Sequence, residues 1–174
     1  MLPPVVASLF EEIRKGSVFP FAWLATVDDG AARGGSPCAR VRTVRVIGFN
    51  LQQGKFYVAT HRRHAKIEQI QARPLGELCF TELTGPLQLR FGCRLSLLGE
   101  DKVAMRDSFW RKLPEESRWR FYACEPEVAV PPPDFAVLQA DVHEVDLLDL
   151  RPERSLRRGF LRQGADWAEE ERML

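Results

Sequence analysis

The 174-residue sequence predicts a mainly β fold, in which six to seven antiparallel strands form a small barrel with helices at its periphery. Residues 87–98 alternate between apolar and polar side chains, which is typical of a long strand with one buried face. The other apolar segments are short and are separated by turn signals such as Asp28-Asp29-Gly30 and Thr84-Gly85-Pro86. Such a succession favours hairpins, and therefore an antiparallel sheet.

A helix and two strands are predicted first. Apolar residues recur at helical spacing at Val6, Leu9, Phe10 and Ile13. An apolar strand at residues 21–27 then turns back into a second strand at residues 40–49. In this second strand Arg40 and Arg42 share one face and Arg45 lies on the other. We therefore expect the strand to be covered on both faces or to contain a β-bulge.

Further along the chain, residues 55–60 predict a third strand and residues 61–72 a helix, with Thr60 as its candidate N-cap and Arg73-Pro74 at its end. The remaining segments alternate in the same way. Strands are predicted at residues 77–83, 87–98, 136–150 and 155–162, and two peripheral helices at residues 103–113 and 114–123.

Composition places the chain among ordinary globular proteins, with 45% hydrophobic and 28% charged residues, so we expect a single domain over residues 1–174. The net charge of +1 gives no general attraction to nucleic acid. The four cysteines lack metal-binding spacing and are expected to be buried thiols. With no signal-peptide pattern and no apolar run of membrane-spanning length, we expect a cytoplasmic protein without a membrane partner.

Basic residues concentrate where the predicted helix at residues 61–72 begins, at His61, Arg62, Arg63, His64 and Lys66. A helix N-terminus carries unpaired N–H groups and partial positive charge, so cations there are unfavourable unless an anion binds. Together with the arginine-rich strand before it, this pattern indicates a site for a phosphate or another anion. A solvated basic face explains the charges equally well.

Known catalytic motifs are absent: the sequence contains no GxSxG, P-loop, GxGxxG or HExxH pattern, and it identifies no catalytic residue. His61 and His64 lie three residues apart on the basic segment, where contact with phosphate is favoured over metal ligation, and we predict no metal site. A site with arginines but without an acid or a nucleophile indicates that a bound cofactor supplies the chemistry.

Seven segments carry a resemblance to a known family, in their order and spacing: AWLATVDDG, VRTVRVIGF, FYVATHRRHAKIEQIQARP, LQLRFG, SFWRKLPEESRWRF, RSLRRGF and GADW. The chain resembles the pyridoxamine 5′-phosphate oxidase family, and most closely its branch of shorter, oxidase-related FMN-binding proteins. The resemblance extends from Trp23 to Trp167. It implies an FMN-binding split barrel that forms a homodimer, with the cofactor at the subunit interface.

The resemblance also implies roles for individual residues. Arg42 and the backbone of residues 43–45 would lie along the flavin, Thr60, Arg63 and Lys66 would hold its phosphate, and Gln88 would approach from the neighbouring strand or subunit. The complete set of implied cofactor-binding residues is Arg42, Thr43, Val44, Arg45, Ala59, Thr60, Arg63, His64, Lys66, Gln88 and Arg158. Ser117 and Arg157 are the implied substrate-binding residues. Without the resemblance, Arg42 and Gln88 would be polar residues on an exposed strand face.

Three departures bear on the substrate. Ile47 stands where the family's oxidases have a lysine, and Phe109 and Leu113 fall near the expected tyrosine and arginine that bind the vitamin phosphate. An aliphatic side chain cannot donate to a phosphate, so these positions argue against vitamin B6 phosphate as the substrate. Charge from shifted positions is the alternative, from Arg45, Arg111, Lys112, Arg157 and Arg158.

The sequence therefore predicts an FMN-dependent oxidoreductase of unknown substrate. One alternative is a true pyridoxamine 5′-phosphate oxidase. Another is a non-catalytic barrel that binds flavin, haem or nucleic acid, and the low net charge makes nucleic acid the least favoured ligand. Trp110, Trp119 and Trp167 are interpreted as core or dimer-interface residues in preference to flavin-stacking ones.

Overall fold

A computed structural model of the chain describes residues 1–17, 20–30, 35–82, 85–122, 130–151 and 155–174. In chain order the elements within these ranges are α1 (Pro4–Arg14), β1 (Phe21–Asp28), β2 (Cys38–Asn50), β3 (Lys55–His61), α2 (Ala65–Ala72), β4 (Leu75–Thr81), β5 (Leu87–Leu97), α3 (Val103–Lys112), α4 (Glu115–Tyr122), β6 (Phe135–Asp149), β7 (Leu156–Gln163) and β8 (Asp166–Glu171).

All strands pair antiparallel in the order β3-β2-β1-β4-β5-β6-β7-β8, and an additional pairing of β3 with β6 closes the first six into a barrel. The predicted mainly β, antiparallel barrel is confirmed. The predicted count of six to seven strands is wrong, because the described residues contain an eighth strand, β8. This strand gives no periodic signal, since its side chains are exposed or only partly buried at the sheet edge.

The long strand β6 joins the barrel to the β7–β8 hairpin. One edge of β6 pairs with β5 over Leu138–Asp149. The other edge is shared: Phe135–Asp141 pair with β3, and Glu144–Asp149 pair with β7. The barrel thus closes on the first half of β6, and the hairpin extends the sheet from its second half.

Phe10 of α1 lies at the centre of the main hydrophobic core and is 0% exposed. Its ring packs edge-on against four phenylalanines of the strands, at centroid distances of 5.1 Å to Phe49, 5.3 Å to Phe56, 5.1 Å to Phe80 and 6.4 Å to Phe91. The predicted N-terminal helix is confirmed, and its apolar stripe completes the core of the barrel.

A second apolar cluster attaches α3 to the outside of the barrel, and it consists of Ile47, Tyr57, Phe109, Trp110, Leu113, Phe135 and Val137. The register of β2 shifts between Val46 and Gly48, so Val46 packs in the main core and Ile47 in the second cluster. The bulge expected in β2 is confirmed, whereas cover on both faces holds only around Val46 and Ile47, because residues 38–41 and Thr43 are exposed. Trp110 is fully buried here, as predicted for a core residue, whereas Trp119 is exposed and Trp167 packs beside the main core.

The predicted start of the second helix is wrong. Strand β3 continues to His61, which pairs with Phe135, and α2 begins only at Ala65. Thr60 is therefore no N-cap; the cap residue is His64, and it makes no side-chain capping bond. The pairing with β6 holds this segment extended for one residue more than local propensity indicates. Of the basic residues, only Lys66 lies in the first turn of the helix.

The prediction of buried cysteines holds for Cys93, while Cys79 is half-buried and Cys124 lies outside the described residues. It is wrong for Cys38, which is exposed because it begins β2 at the end of the sheet. None of the helices in the described ranges is long and apolar enough to cross a membrane.

Replacing Phe10 with alanine tests the role of α1. We expect Phe10→Ala to lower the free energy of unfolding by about 3–5 kcal/mol, because a buried ring is removed and a cavity remains. Urea denaturation followed by circular dichroism measures the loss. Val5→Ala, at an exposed position of the same helix, should change stability by no more than about 0.5 kcal/mol; equal effects of the two changes would contradict this account of the core.

Candidate functional site

A cavity of about 340 Å³ opens where the middle of β2 and the end of β3 meet α2 and the α3–α4 region. Its walls are formed by Phe21, Thr43, Val44, Arg45, Ala59, Thr60, His61, His64, Lys66, Leu113, Glu116, Ser117, Arg120 and Tyr122. Eight residues that the sequence predicted for the cofactor and substrate are therefore brought together: Thr43, Val44, Arg45, Ala59, Thr60, His64, Lys66 and Ser117.

Lys66 is the charged group at the inner end of this cavity. Its Nζ donates a hydrogen bond of 3.0 Å to Thr60 Oγ1 and lies 3.2 Å from His64 Nδ1. Burial, together with the positive charge of Arg42, lowers the pKa of Lys66 to about 8. Burial and the neighbouring Lys66 and His61 likewise lower the pKa of His64. No carboxylate within the described ranges pairs with Lys66, so the counter-charge of this partly desolvated cation must come from elsewhere.

Arg42 supports the site from behind and does not line the cavity. Its guanidinium donates to Thr26 Oγ1 at 2.6 Å, to the Leu24 carbonyl at 3.2 Å and to Gln69 Oε1 at 2.9 Å. These bonds tie β2 to β1 and to α2, whose first turn carries Lys66. Burial and the nearby Arg40 lower the pKa of Arg42. Like Lys66, Arg42 forms no ion pair with any residue that the structure describes.

The outer wall carries a third cation. The Arg45 guanidinium lies 4.6 Å from the centroid of the Phe21 ring, a cation–π contact, and it too has no carboxylate partner in the described part of the chain. Arg120, in contrast, is neutralised by Glu116 at 2.7 Å. The uncompensated positive charge of the site therefore comes from Lys66, Arg42 and Arg45.

Tyr122 closes the cavity beside β3. Its hydroxyl donates to the Thr60 carbonyl at 3.1 Å, and its ring stacks on His61 with the ring centroids 6.1 Å apart. Sequence reasoning did not select Tyr122 or Glu116, because a short helix joined to the barrel by loops gives no periodicity that shows where it docks. The acidic residues at the start of α4 predict where this helix begins along the chain. They do not predict where it packs against the barrel.

Besides Arg42, four predicted residues lie outside the cavity. Arg63 is 81% exposed and forms an ion pair with Asp134 at 3.4 Å. Gln88 lies in a separate depression on the outer sheet face, with Trp23, Val41 and Cys79. In the β7–β8 region, Arg157 binds Asp146 and Arg158 binds Glu169. Within one subunit these four residues do not reach the cavity, and their contact with a cofactor or substrate stays a prediction.

Ile47, Phe109 and Leu113, the three departures from the family's pattern, pack together in the second apolar cluster with exposures of 2%, 6% and 3%. The Phe109 ring packs directly against Gly48, next to the bulge. A larger residue would not fit there, because a Cβ at Gly48 would lie 2.5 Å from Phe109 Cε1. Leu113 also lines the cavity. Leu113 therefore gives the cavity an apolar surface at this point, whereas Ile47 and Phe109 do not line it.

Comparison with known families decides the relationship. The family model described as pyridoxamine 5′-phosphate oxidase matches residues 9–149. The chain belongs to this family. No curated protein sequence gives a significant match. The match covers the second half of α1, the closed barrel and α3–α4, and therefore every residue that lines the cavity.

Solved structures of other proteins share the fold. A pyridoxamine 5′-phosphate oxidase-related, FMN-binding protein from Nostoc punctiforme is 25% identical, with each chain fully covered and a TM-score of 0.79. PhzG from Burkholderia lata, solved with tetrahydrophenazine-1-carboxylic acid, is 15% identical over 99% of this chain and 93% of its own, with a TM-score of 0.72. These likenesses establish the split barrel of the family as the fold.

Lys66 provides a test of the uncompensated charge. We expect Lys66→Met to stabilise the ligand-free protein near neutral pH, because it removes a partly buried cation that has no counter-ion. The folded-state pKa of about 8 lies below the ordinary 10.5, so the folded protein holds fewer protons at this residue between those values. The stability of the unmodified chain should therefore rise through this pH window, and the advantage of the variant should shrink.

Urea denaturation at about pH 7 and about pH 10 measures this difference. Lys112→Met, which removes an exposed lysine from the last turn of α3, serves as the control and should show neither the gain nor its pH dependence. A Lys66→Met variant that is less stable than the unmodified chain at about pH 7 would overturn the description of Lys66 as an uncompensated cation.

Proposed function

We propose that the protein binds FMN in the cavity between β2, β3, α2 and α4 and acts as a flavin-dependent oxidoreductase. The observation that carries this proposal is the pair Lys66 and Arg42, two partly buried cations without carboxylate partners in the described residues. A phosphate group supplies the missing negative charge and accepts hydrogen bonds from lysine and hydroxyl groups. The FMN-binding protein from Nostoc punctiforme, matched over the full chain, supports the same cofactor.

In this proposal Lys66 and Thr60 bind the phosphate, with His64 beside them and Arg63 joining when it leaves Asp134. The backbone of Thr43, Val44 and Arg45 lies along the flavin ring, and Arg42 holds β2 and α2 in register behind it. The bound flavin supplies the electron-transfer chemistry. The protein supplies orientation, counter-charge and a largely apolar enclosure, and no side chain is assigned as a catalytic acid or base.

The substrate is proposed to lack a phosphate. On the α3 side of the cavity, a vitamin phosphate would meet Leu113, which offers no hydrogen-bond donor, and Ile47 and Phe109 are buried in the apolar cluster that includes Leu113. Turnover of pyridoxamine 5′-phosphate is therefore disfavoured. A nucleic-acid ligand is disfavoured as well, because the uncompensated cations lie in and behind a cavity, whereas nucleic acid binds to basic surfaces.

We also propose that residues 1–174 form one FMN-binding domain that acts as a cytoplasmic homodimer. Large apolar side chains stand exposed on the outer face of the first, second and fourth strands, at Phe21, Trp23, Val41 and Leu75. Exposed apolar residues grouped in this way mark interaction surfaces. Gln88 borders the same face, so a second copy packed there could bring it to the cofactor.

Flavin binding is tested with the purified protein. We expect a flavin absorption spectrum after incubation with FMN, and a thermal midpoint that rises with FMN concentration. Lys66→Met should weaken FMN binding roughly ten- to a hundredfold, the effect of losing one charge-assisted hydrogen bond. Affinity for FMN should also fall as the pH rises above about 8, because Lys66 then loses its proton in the free protein.

Isothermal titration calorimetry at several pH values measures both effects. Lys112→Met should bind FMN as the unmodified chain does, and Lys66→Arg should retain affinity without the decrease above pH 8, since arginine stays charged. A protein that neither binds FMN nor gains thermal stability from it would refute the proposal.

The dimer is tested with Val41→Glu. A charge placed in the middle of the exposed apolar face should convert the dimer to a monomer, because an unpaired carboxylate would be buried on association. Sedimentation velocity gives the mass in solution. Val103→Glu makes the same change at an exposed position of α3 and should leave the dimer intact. A monomeric unmodified chain, or an intact Val41→Glu dimer, would contradict the proposed interface.

A further inference from the structure

Three side chains behind the cavity form a closed triangle of hydrogen bonds: Thr26 of β1, Arg42 of β2 and Gln69 of α2. Gln69 Oε1 accepts a hydrogen bond of 2.9 Å from Arg42 Nη2 and one of 2.6 Å from the Thr26 hydroxyl. Thr26 Oγ1 in turn accepts a hydrogen bond of 2.6 Å from Arg42 Nη1. Arg42 is the only charged member of this triangle.

The packing of α2 explains why Gln69 reaches Arg42. Leu24 and Arg42 are direct partners in the β1–β2 register, so the side chain of Arg42 leaves the sheet on the same face as that of Thr26. Ile67 and Ile70 anchor α2 in the main core. Gln69, which lies between them in the sequence, therefore meets Thr26 and Arg42.

The partners of Gln69 determine which atom of its amide points toward them. A guanidinium only donates hydrogen bonds, so the atom of Gln69 that faces Arg42 must be the oxygen. Thr26 is 2% exposed, and its hydroxyl donates its single proton to this oxygen while it accepts from Arg42. The triangle thus satisfies the buried hydroxyl and fixes the position of the Arg42 guanidinium.

A glutamate side chain would accept the same two hydrogen bonds, but it would also neutralise Arg42. It would lie one helical turn from Lys66 as well, because residues three apart are neighbours on a helix. The acidic residue that α2 does contain, Glu68, is exposed and pairs with neither cation in the described part of the chain. The neutral amide of Gln69 therefore fixes Arg42 and leaves its charge uncompensated.

The charges of Arg42 and Lys66 act on one another. Burial lowers the pKa of Lys66, and the charge of Arg42 lowers it further. A negative charge at residue 69 would weaken this combined positive potential, and it would repel a phosphate bound beside Lys66. Gln69 does not line the cavity, so its effect on a ligand passes through the two cations.

We propose that Gln69 determines the preference of the site for a phosphorylated flavin. Gln69 is a positioning residue: it orients Arg42 through a neutral acceptor, so that the positive charge of Arg42 and Lys66 stays available to the phosphate. The inference rests on the proposed function, because it concerns the phosphate of the flavin, and it assigns the phosphate preference to the lack of a charge at residue 69.

The variant Gln69→Glu tests the inference, with the affinities for FMN and for riboflavin measured by isothermal titration calorimetry. We expect the affinity for FMN to fall at least about tenfold and that for riboflavin to change by less than about twofold, because only FMN carries the phosphate. The thermal midpoint of the ligand-free variant should rise by about 2–4 °C, since Arg42 gains a counter-ion.

Two further variants separate charge from position. Gln71→Glu adds the same charge at an exposed position of the same helix, and it should retain both the FMN preference and the thermal midpoint. Gln69→Met removes the acceptor without adding a charge. It should lower the thermal midpoint, because Arg42 and Thr26 lose their partner, and it should retain more of the FMN preference than Gln69→Glu does.

The outcomes distinguish this inference from the proposed function. A preference for FMN that survives in Gln69→Glu, an equal loss of affinity for both flavins, or a Gln69→Glu variant less stable than the unmodified chain would overturn the role of Gln69 and leave the cofactor in place. A loss of preference in Gln69→Met as large as in Gln69→Glu would overturn it as well. An unmodified chain that binds neither flavin would refute the proposed function, and this inference with it.

Discussion

The pairing of β3 with the first half of β6 is the constraint on which the rest of the molecule depends. It closes the barrel around Phe10 and the strand phenylalanines, and it holds β3 extended to His61. The chain must then turn at residues 62–64 before α2 can begin, which places Thr60, His64 and Lys66 together at one end of the barrel. Beyond β3, the same edge of β6 is free to bind the β7–β8 hairpin, which brings Arg157 to Asp146.

Two groups of partly buried cations differ in whether the protein itself supplies a negative charge to pair with them. Burial by itself would raise the pKa of Asp146, but hydrogen bonds from Arg157 and Arg90 outweigh it and hold the pKa well below its usual range. These arginines stay charged beside a fixed counter-ion. Lys66 has no such partner in the described residues, and burial lowers its pKa instead. A cation that destabilises the free protein is retained where a ligand supplies the counter-charge, so the cost in stability itself points to function.

Strong periodicity made much of the fold predictable. The alternation of β5 and the helical stripe of α1 reflect burial on one face, and both elements were found where the pattern placed them. Residues in the middle of β2 and around the end of β3 were selected for the site because basic groups and the family resemblance coincide there. Eight selected residues, among them Ser117 of α4, do line the cavity. The start of α2 and the strand β8 were missed because pairing between distant segments determines them: His61 is held by Phe135, and β8 by β7. The docking of Tyr122 against Thr60 is likewise a tertiary contact without a local signal.

The central claim is that Lys66 is present to bind the phosphate of a flavin, and comparison of FMN with riboflavin, which lacks that phosphate, tests it most directly. The affinities of both flavins are measured for the unmodified chain and for Lys66→Met. The account predicts that the unmodified chain prefers FMN by at least about tenfold and that Lys66→Met loses most of this preference while binding riboflavin as before. An FMN preference that is unchanged in Lys66→Met, or equal affinities of the unmodified chain for the two flavins, would contradict it.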